Sequence, residues 1–100
     1  MSPVTEIVVF RLKAEADPNA FQQAAAQISI LLASYQGYID RELSVTDDGT
    51  WIDMVHWADM NSAQTAADQI MSDPQGQAFM NYLDGQSVNM YHALPKLRTP

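Results

Sequence analysis

Asp53 lies between Trp51 and Trp57 in a run that is otherwise mostly apolar or aromatic. A carboxylate in such a dry layer would be a stronger proton acceptor than one in water, because burial penalises its charged form. Such a group can deprotonate a phenol or enol, leaving an electron-rich carbanion able to react with dioxygen directly. The competing reading is a carboxylate that caps a strand end near solvent. His92 shares its alternation with Val88, Met90 and Leu94, which predicts that it lies over the helices. There it would hydrogen-bond a substrate oxygen or shuttle a proton. A buried histidine bonded to a backbone carbonyl is the plainer alternative.

Asp53 and His92 are therefore the catalytic candidates. Trp57 and Trp51, with Tyr35 and Tyr82 from the helical stripes, are the candidate substrate-binding residues. Aromatic side chains at such positions bury much area, so ordinary core packing competes with each of them. Met54, Met60, Met71, Met80 and Met90 suggest an adaptable lining for a flat apolar ligand, or simple filler. His56 is expected to face Asp40 as a charge-assisted pair. The acids are scattered without ligand spacing, so no metal is expected. No glycine-rich phosphate loop occurs, so no nucleotide cofactor is expected. Ser62 reads as a helix cap rather than a nucleophile, since no base accompanies it.

These residues must be positioned by a doubled strand–helix passage. Val4–Leu12 is β-branched and aromatic, as a strand requires. Asp17-Pro18 gives an N-cap followed by proline at the first helical turn. Phe21, Ala24, Ile28, Leu31 and Tyr35 recur at helical spacing, and Gly37 is the expected left-handed stop. Ile39–Val45 and Thr50–Ala58 are two strands around the turn Asp47-Asp48-Gly49. Asn61 or Ser62 is expected to cap a second helix through Ala63–Met71, which Asp73-Pro74 interrupts. A further segment carries Phe79, Tyr82 and Leu83 to Gly85, and Val88–Leu94 is the last strand. The predicted class is α+β: a βαββαβ chain forming a four-stranded antiparallel sheet with both helices on one face. Its spatial order would be fourth, first, third, second strand.

Chain length and composition narrow the field. One hundred residues, 47% of them apolar, make a single globular domain, 1–100. Twelve acids against five bases give a net charge of −7. Arg11 and Lys13 fall at one strand end and Lys96 and Arg98 in the tail, so neither nucleic acid nor an anionic membrane is an expected partner. No apolar run approaches the roughly 20 residues of a membrane span. Val4–Phe10 reads as a strand, not a signal core. With no cysteine, the composition fits a reducing, cytoplasmic location.

The sheet is apolar on both faces. Val8, Phe10 and Leu12 alternate with Ile7 and Val9, and Trp51, Val55 and Trp57 with Ile52 and Met54. Two helices cover one face only, so a homodimer joined through the other face is expected. Register is set by the turn. A three-residue loop with Gly49 left-handed puts Leu43 and Val45 on the tryptophan face, which buries the most apolar surface. That register predicts Asp53 near Leu43 in the helix-facing layer, and His56 opposite Asp40 on the dimer face.

Element order over residues 4–94 resembles the antibiotic biosynthesis monooxygenase family of the dimeric α/β-barrel, ferredoxin-like superfamily. The best local match is the strand ending at Trp57, followed by Ala58-Asp59-Met60-Asn61-Ser62 and a small-residue helix. Gly37-Tyr38 and Pro74…Phe79…Leu83 also match. The resemblance implies a cofactor-free cavity between sheet and helices, in which family enzymes oxidise polycyclic phenols with dioxygen. It puts Trp57 at the family's recurring tryptophan. Position 53 is Asp where some members carry an amide, and Ala63 offers no phenol. Haem-degrading relatives use an Asn in the first strand and a His on the second helix, and this chain has neither. The expectation is a cofactor-independent oxygenase acting on a small aromatic or polyketide-like molecule. A non-catalytic binding or interaction module and a cofactor-free isomerase or cyclase are the alternatives.

Overall fold

The computed structural model describes residues 2–100 and has the predicted architecture. Its elements are β1 (Val4–Phe10), α1 (Pro18–Ala33), β2 (Tyr38–Val45), β3 (Trp51–Trp57), α2 (Met60–Ser72), α3 (Pro74–Met80) and β4 (Asn89–Ala93), with a single 3-10 turn at Gly85–Ser87. The strands form one antiparallel sheet in the order β2-β3-β1-β4. Among the described residues no helix is long and apolar enough to cross a membrane.

Local chemistry sets the boundaries. Asp17 caps α1, accepting from the Asn19 amide at 3.1 Å, and Pro18 occupies the first turn. The cap of α2 is Asp59, which accepts from the Ser62 amide at 2.7 Å, rather than Asn61 or Ser62. Asp73 ends α2 and caps α3, accepting from the Gln75 amide. Helix α1 stops at Ala33, so Tyr35 lies in the following turn and not on the helical stripe. Gly37 does adopt the left-handed conformation, but in the loop entering β2. A Cβ there would also collide with the Ser62 side chain, so glycine is required twice over. Helix α3 ends at Met80, leaving Tyr82 and Leu83 beyond it.

The β2–β3 register is the one the apolar pattern selects. Gly49 is left-handed, Leu43 pairs with Asp53, and Asp40 pairs with His56. Pairing is irregular between Tyr38 and Asp40, a feature that alternation alone does not predict, and Ile39 is exposed there.

The helix-facing side of the sheet can be read in rows. One end row holds Trp57 and Val4, and the other holds Trp51 and Phe10. The two middle rows are Arg41–Val55–Glu6–His92 and Leu43–Asp53–Val8–Met90. The end rows anchor separate core clusters. Val4 and Trp57 pack with Ile28, Leu32 and Ala63, while Phe10 and Trp51 pack with Phe21, Ala25 and Leu83. Phe79 touches both clusters. The charged residues thus fall between two apolar plugs.

Candidate functional site

A cavity of about 150 Å³ occupies that gap. Its walls are overwhelmingly apolar and come from both clusters, with Ile28, Leu32, Val55, Phe10, Phe79 and Leu83 among them. Three charged side chains also line it: Glu6, Arg41 and Asp53. Met71, Met80 and Met90 contribute too, each between about a third and a half exposed, which marks the side on which the cavity meets solvent. These three methionines match the expected adaptable lining. Met54 instead lies on the open sheet face, and Met60 packs on the Trp57 cluster.

Asp53 faces the helices and is buried, as its register requires. It is not the lone desolvated carboxylate that the sequence suggested. Arg41 Nε donates to Asp53 Oδ1 at 2.9 Å and Nη2 donates to Oδ2 at 2.7 Å, a bidentate pair. Arg41 Nη1 donates to the Ala25 carbonyl at 2.7 Å and to Ser29 Oγ at 2.9 Å, tying the pair to α1. The guanidinium carbon also lies 5.8 Å from the centre of the Phe79 ring. Four of the five N–H groups of Arg41 are thereby committed.

His92 is on the helix-facing side, as predicted. Its partner is Glu6, with Nε2 3.0 Å from Oε2, rather than a backbone carbonyl. Glu6 is diagonal to Asp53 across β1 and β3, roughly 7–8 Å away by strand geometry. Asp53 and the Glu6–His92 pair therefore bear on one space.

The other predicted residues lie elsewhere. Trp57 and Trp51 are core plugs at the end rows and do not line the cavity. The Nε1 of Trp57 is buried without an acceptor. Tyr82 packs edge-on against Phe21. Tyr35 lines a polar surface cleft between the end of α1 and α2. Burial, and then the negative charge of Asp73, raises its phenol above the usual tyrosine value, so it remains a hydrogen-bond donor. On the open face, His56 Nδ1 lies 2.5 Å from Asp40 Oδ1, the predicted pair.

Sequence reasoning missed Glu6 and Arg41. The signal was available: Glu6 interrupts the alternation Val4–Val8–Phe10, and Arg41 shares the face of Leu43 once the register is set. Among the described residues, no cluster of three or more potential metal ligands occurs.

The sequence matches no family profile and no curated protein. Its fold has solved counterparts. SnoaB, a cofactor-independent oxygenase from Streptomyces nogalater, aligns with a TM-score of 0.69 at 17% identity, over 100% of this chain and 97% of that one. Rv0793 from Mycobacterium tuberculosis aligns with a TM-score of 0.76 at 14% identity, covering 99% of this chain and all of the other. A candidate antibiotic biosynthesis monooxygenase from Nitrosomonas europaea gives 0.76 at 10% identity, over 99% and 95%. The resemblance to this group holds along the whole chain at the level of the fold.

Proposed function

We propose that the cavity binds a small aromatic or polyketide-like molecule and supports its cofactor-independent oxygenation. The observation that carries this reading is an apolar cavity with charged groups along one wall, two of them on opposite sides of Val8 and Val55. The apolar walls suit a flat ring, and the charged wall suits one ionisable hydroxyl or enol. Loss of a proton would leave a carbanion or phenolate. Its electrons reduce dioxygen, and reprotonation gives a hydroperoxide that loses water to form a carbonyl. One oxygen atom enters the product and the other leaves as water. His92 serves proton transfer in this scheme, and Asp53 acts within its pair with Arg41. Trp57 and Trp51 hold the two ends of the cavity in place from the core.

The oxygenase fold counterpart supports this reading against an isomerase or cyclase, which would need the same groups and no dioxygen. The commitment of both Asp53 oxygens to Arg41 favours the other alternative, a binding module without turnover. Oxygen uptake by the purified protein with anthrone and hydroquinone under air separates the three. Uptake with product formation supports the oxygenase. Product without uptake supports the isomerase, and saturable binding without product supports the module.

The functional unit in this proposal is a homodimer. Ile7, Val9, Ile52 and Met54 form an apolar centre on the sheet face opposite that of Trp51, Trp57 and Phe10. Sedimentation at micromolar concentration should give a dimer, and Met54→Asp should give a folded monomer.

A further inference from the structure

We propose that Glu6, backed by His92, is the group that takes the ligand's proton, and that the ligand is a phenol or enol with a single ring. This rests on the reading of the cavity as a site for a small aromatic molecule. It departs from the expectation that Asp53 is the base and that the substrate is polycyclic.

The two side-chain pairs bordering the cavity differ in what they leave free. Both carboxylate oxygens of Asp53 accept from Arg41, and Arg41 is held at its far end by Ala25 and Ser29. To accept a proton, Asp53 would have to give up the charge that offsets the buried Arg41 guanidinium. Among the described residues, Glu6 accepts from His92 alone, through Oε2, so Oε1 is free for a ligand in the cavity that Glu6 lines. His92 stands behind Glu6 on the edge strand β4, with about a fifth of its side chain exposed. The arrangement gives an acceptor facing the cavity and a relay facing water.

The proton transfer balances simply. The O–H or C–H bond of the ligand breaks, its electron pair stays on the ligand as phenolate or enolate, and a new O–H bond forms on Glu6. His92 then carries the proton to solvent and restores the carboxylate. Arg41 stays paired with Asp53 and keeps one N–H uncommitted beside the cavity that it lines.

Size sets the substrate class. An apolar cavity of roughly 150 Å³ holds one benzene ring, and this one is about 150 Å³. Three fused rings exceed it.

Resorcinol and anthrone serve as one-ring and three-ring probes. Binding is measured by calorimetry, and proton removal by NMR as deuterium uptake at carbon in anaerobic D2O, which reports the step without any oxygenation. The wild type should bind resorcinol more tightly than anthrone and accelerate uptake into it. Glu6→Gln, nearly isosteric, should slow uptake by about 100-fold or more while the Kd for resorcinol moves less than about threefold. His92→Gln should slow it by a smaller factor, on the order of tenfold. Should Glu6→Gln fail to fold by circular dichroism, Glu6→Asp draws the carboxylate back by one methylene and is expected to show the same loss. Uptake in Glu6→Gln as fast as in wild type overturns the assignment of the base, and tighter binding of anthrone overturns the ring size. If the wild type binds neither probe, the aromatic-ligand reading itself fails, a result distinct from both.

Discussion

The cavity is bordered by two side-chain pairs of opposite character. Arg41–Asp53 is a closed system, with two hydrogen bonds inside the pair, two more from Arg41 to α1, and side chains only 5% and 10% exposed. Glu6–His92 has one contact, leaves an oxygen free and reaches towards water through its histidine. Both pairs lie on the same sheet face: Arg41 shares a row with Glu6 and His92, and Asp53 stands in the next row, two residues along the strands. The difference teaches that burial alone does not identify the reactive carboxylate. Asp53 is the more buried-looking candidate in the sequence, yet its surroundings have already used its valences, whereas Glu6 keeps one in reserve.

The sharpest way to break the comparison is to open the closed pair. Arg41→Ala leaves the Asp53 charge buried without a partner, and breaking such a pair costs about 3–5 kcal/mol. Urea unfolding should show a loss of that size, a large share of the total stability of a 100-residue domain. Replacing both partners together, as Arg41→Met with Asp53→Leu, should recover most of it, because no uncompensated charge remains. Deuterium uptake retained in that double variant would make the pair structural, and uptake lost with the fold intact would give Arg41 a direct part in stabilising the anion. Stability unchanged in Arg41→Ala would mean that the pair is not closed.

A smaller effect is expected at the far end of the same pair. Ser29→Ala removes an acceptor from Arg41 Nη1 while the Ala25 carbonyl still holds it. The loss should be about 1.5–3 kcal/mol if the hydroxyl interacts with the full charge, and less if water replaces it. Glu6→Gln should cost less again, about 1 kcal/mol or below, since an amide oxygen can still meet His92. The two pairs would then separate cleanly, with the Arg41 side read in stability and the Glu6 side in proton transfer.

The parts of this arrangement that were legible in the sequence are those set by period and by local chemistry. Alternation in Val4–Phe10 and Trp51–Trp57, the Asp17-Pro18 start and the left-handed Gly49 sufficed for the strand order and the register, and so for Asp53 facing the helices and His56 meeting Asp40. Alternation gives a face but not a row. Whether a side chain on that face becomes a plug or a cavity wall depends on where the helices cross closest, and that is tertiary. Trp51 and Trp57 occupy the end rows under the helices, so they pack, while the middle rows remain open. Arg41 was passed over because a long cationic side chain in a strand usually belongs to the solvated face. Here its reach across a row to Asp53 and up to α1 is what makes burial tolerable.

The smallest effect concerns a carboxylate that is wet, which calibrates the other two. Asp48, in the β2–β3 turn, accepts from Thr46 Oγ1 at 2.5 Å, Thr50 Oγ1 at 2.9 Å and the Thr50 amide at 3.2 Å, with Arg11 nearby at 3.7 Å. The Thr46 hydroxyl first, then Thr50 and finally the more distant Arg11 hold its carboxyl below the usual aspartate value. A carboxyl lowered in the folded state adds stability above its unfolded value, and that addition is lost as pH falls through the folded value. Thr46→Val should therefore be slightly less stable than wild type at neutral pH, and the difference should narrow as pH falls through the folded value, leaving the part due to the Thr50 amide, which donates to Thr46 Oγ1 at 3.1 Å. Urea midpoints followed from about pH 7 downward measure this. A difference that does not narrow at the lower pH would place the role of Thr46 in turn geometry rather than in holding the charge. The contrast with Asp53 would then rest on the buried pair alone.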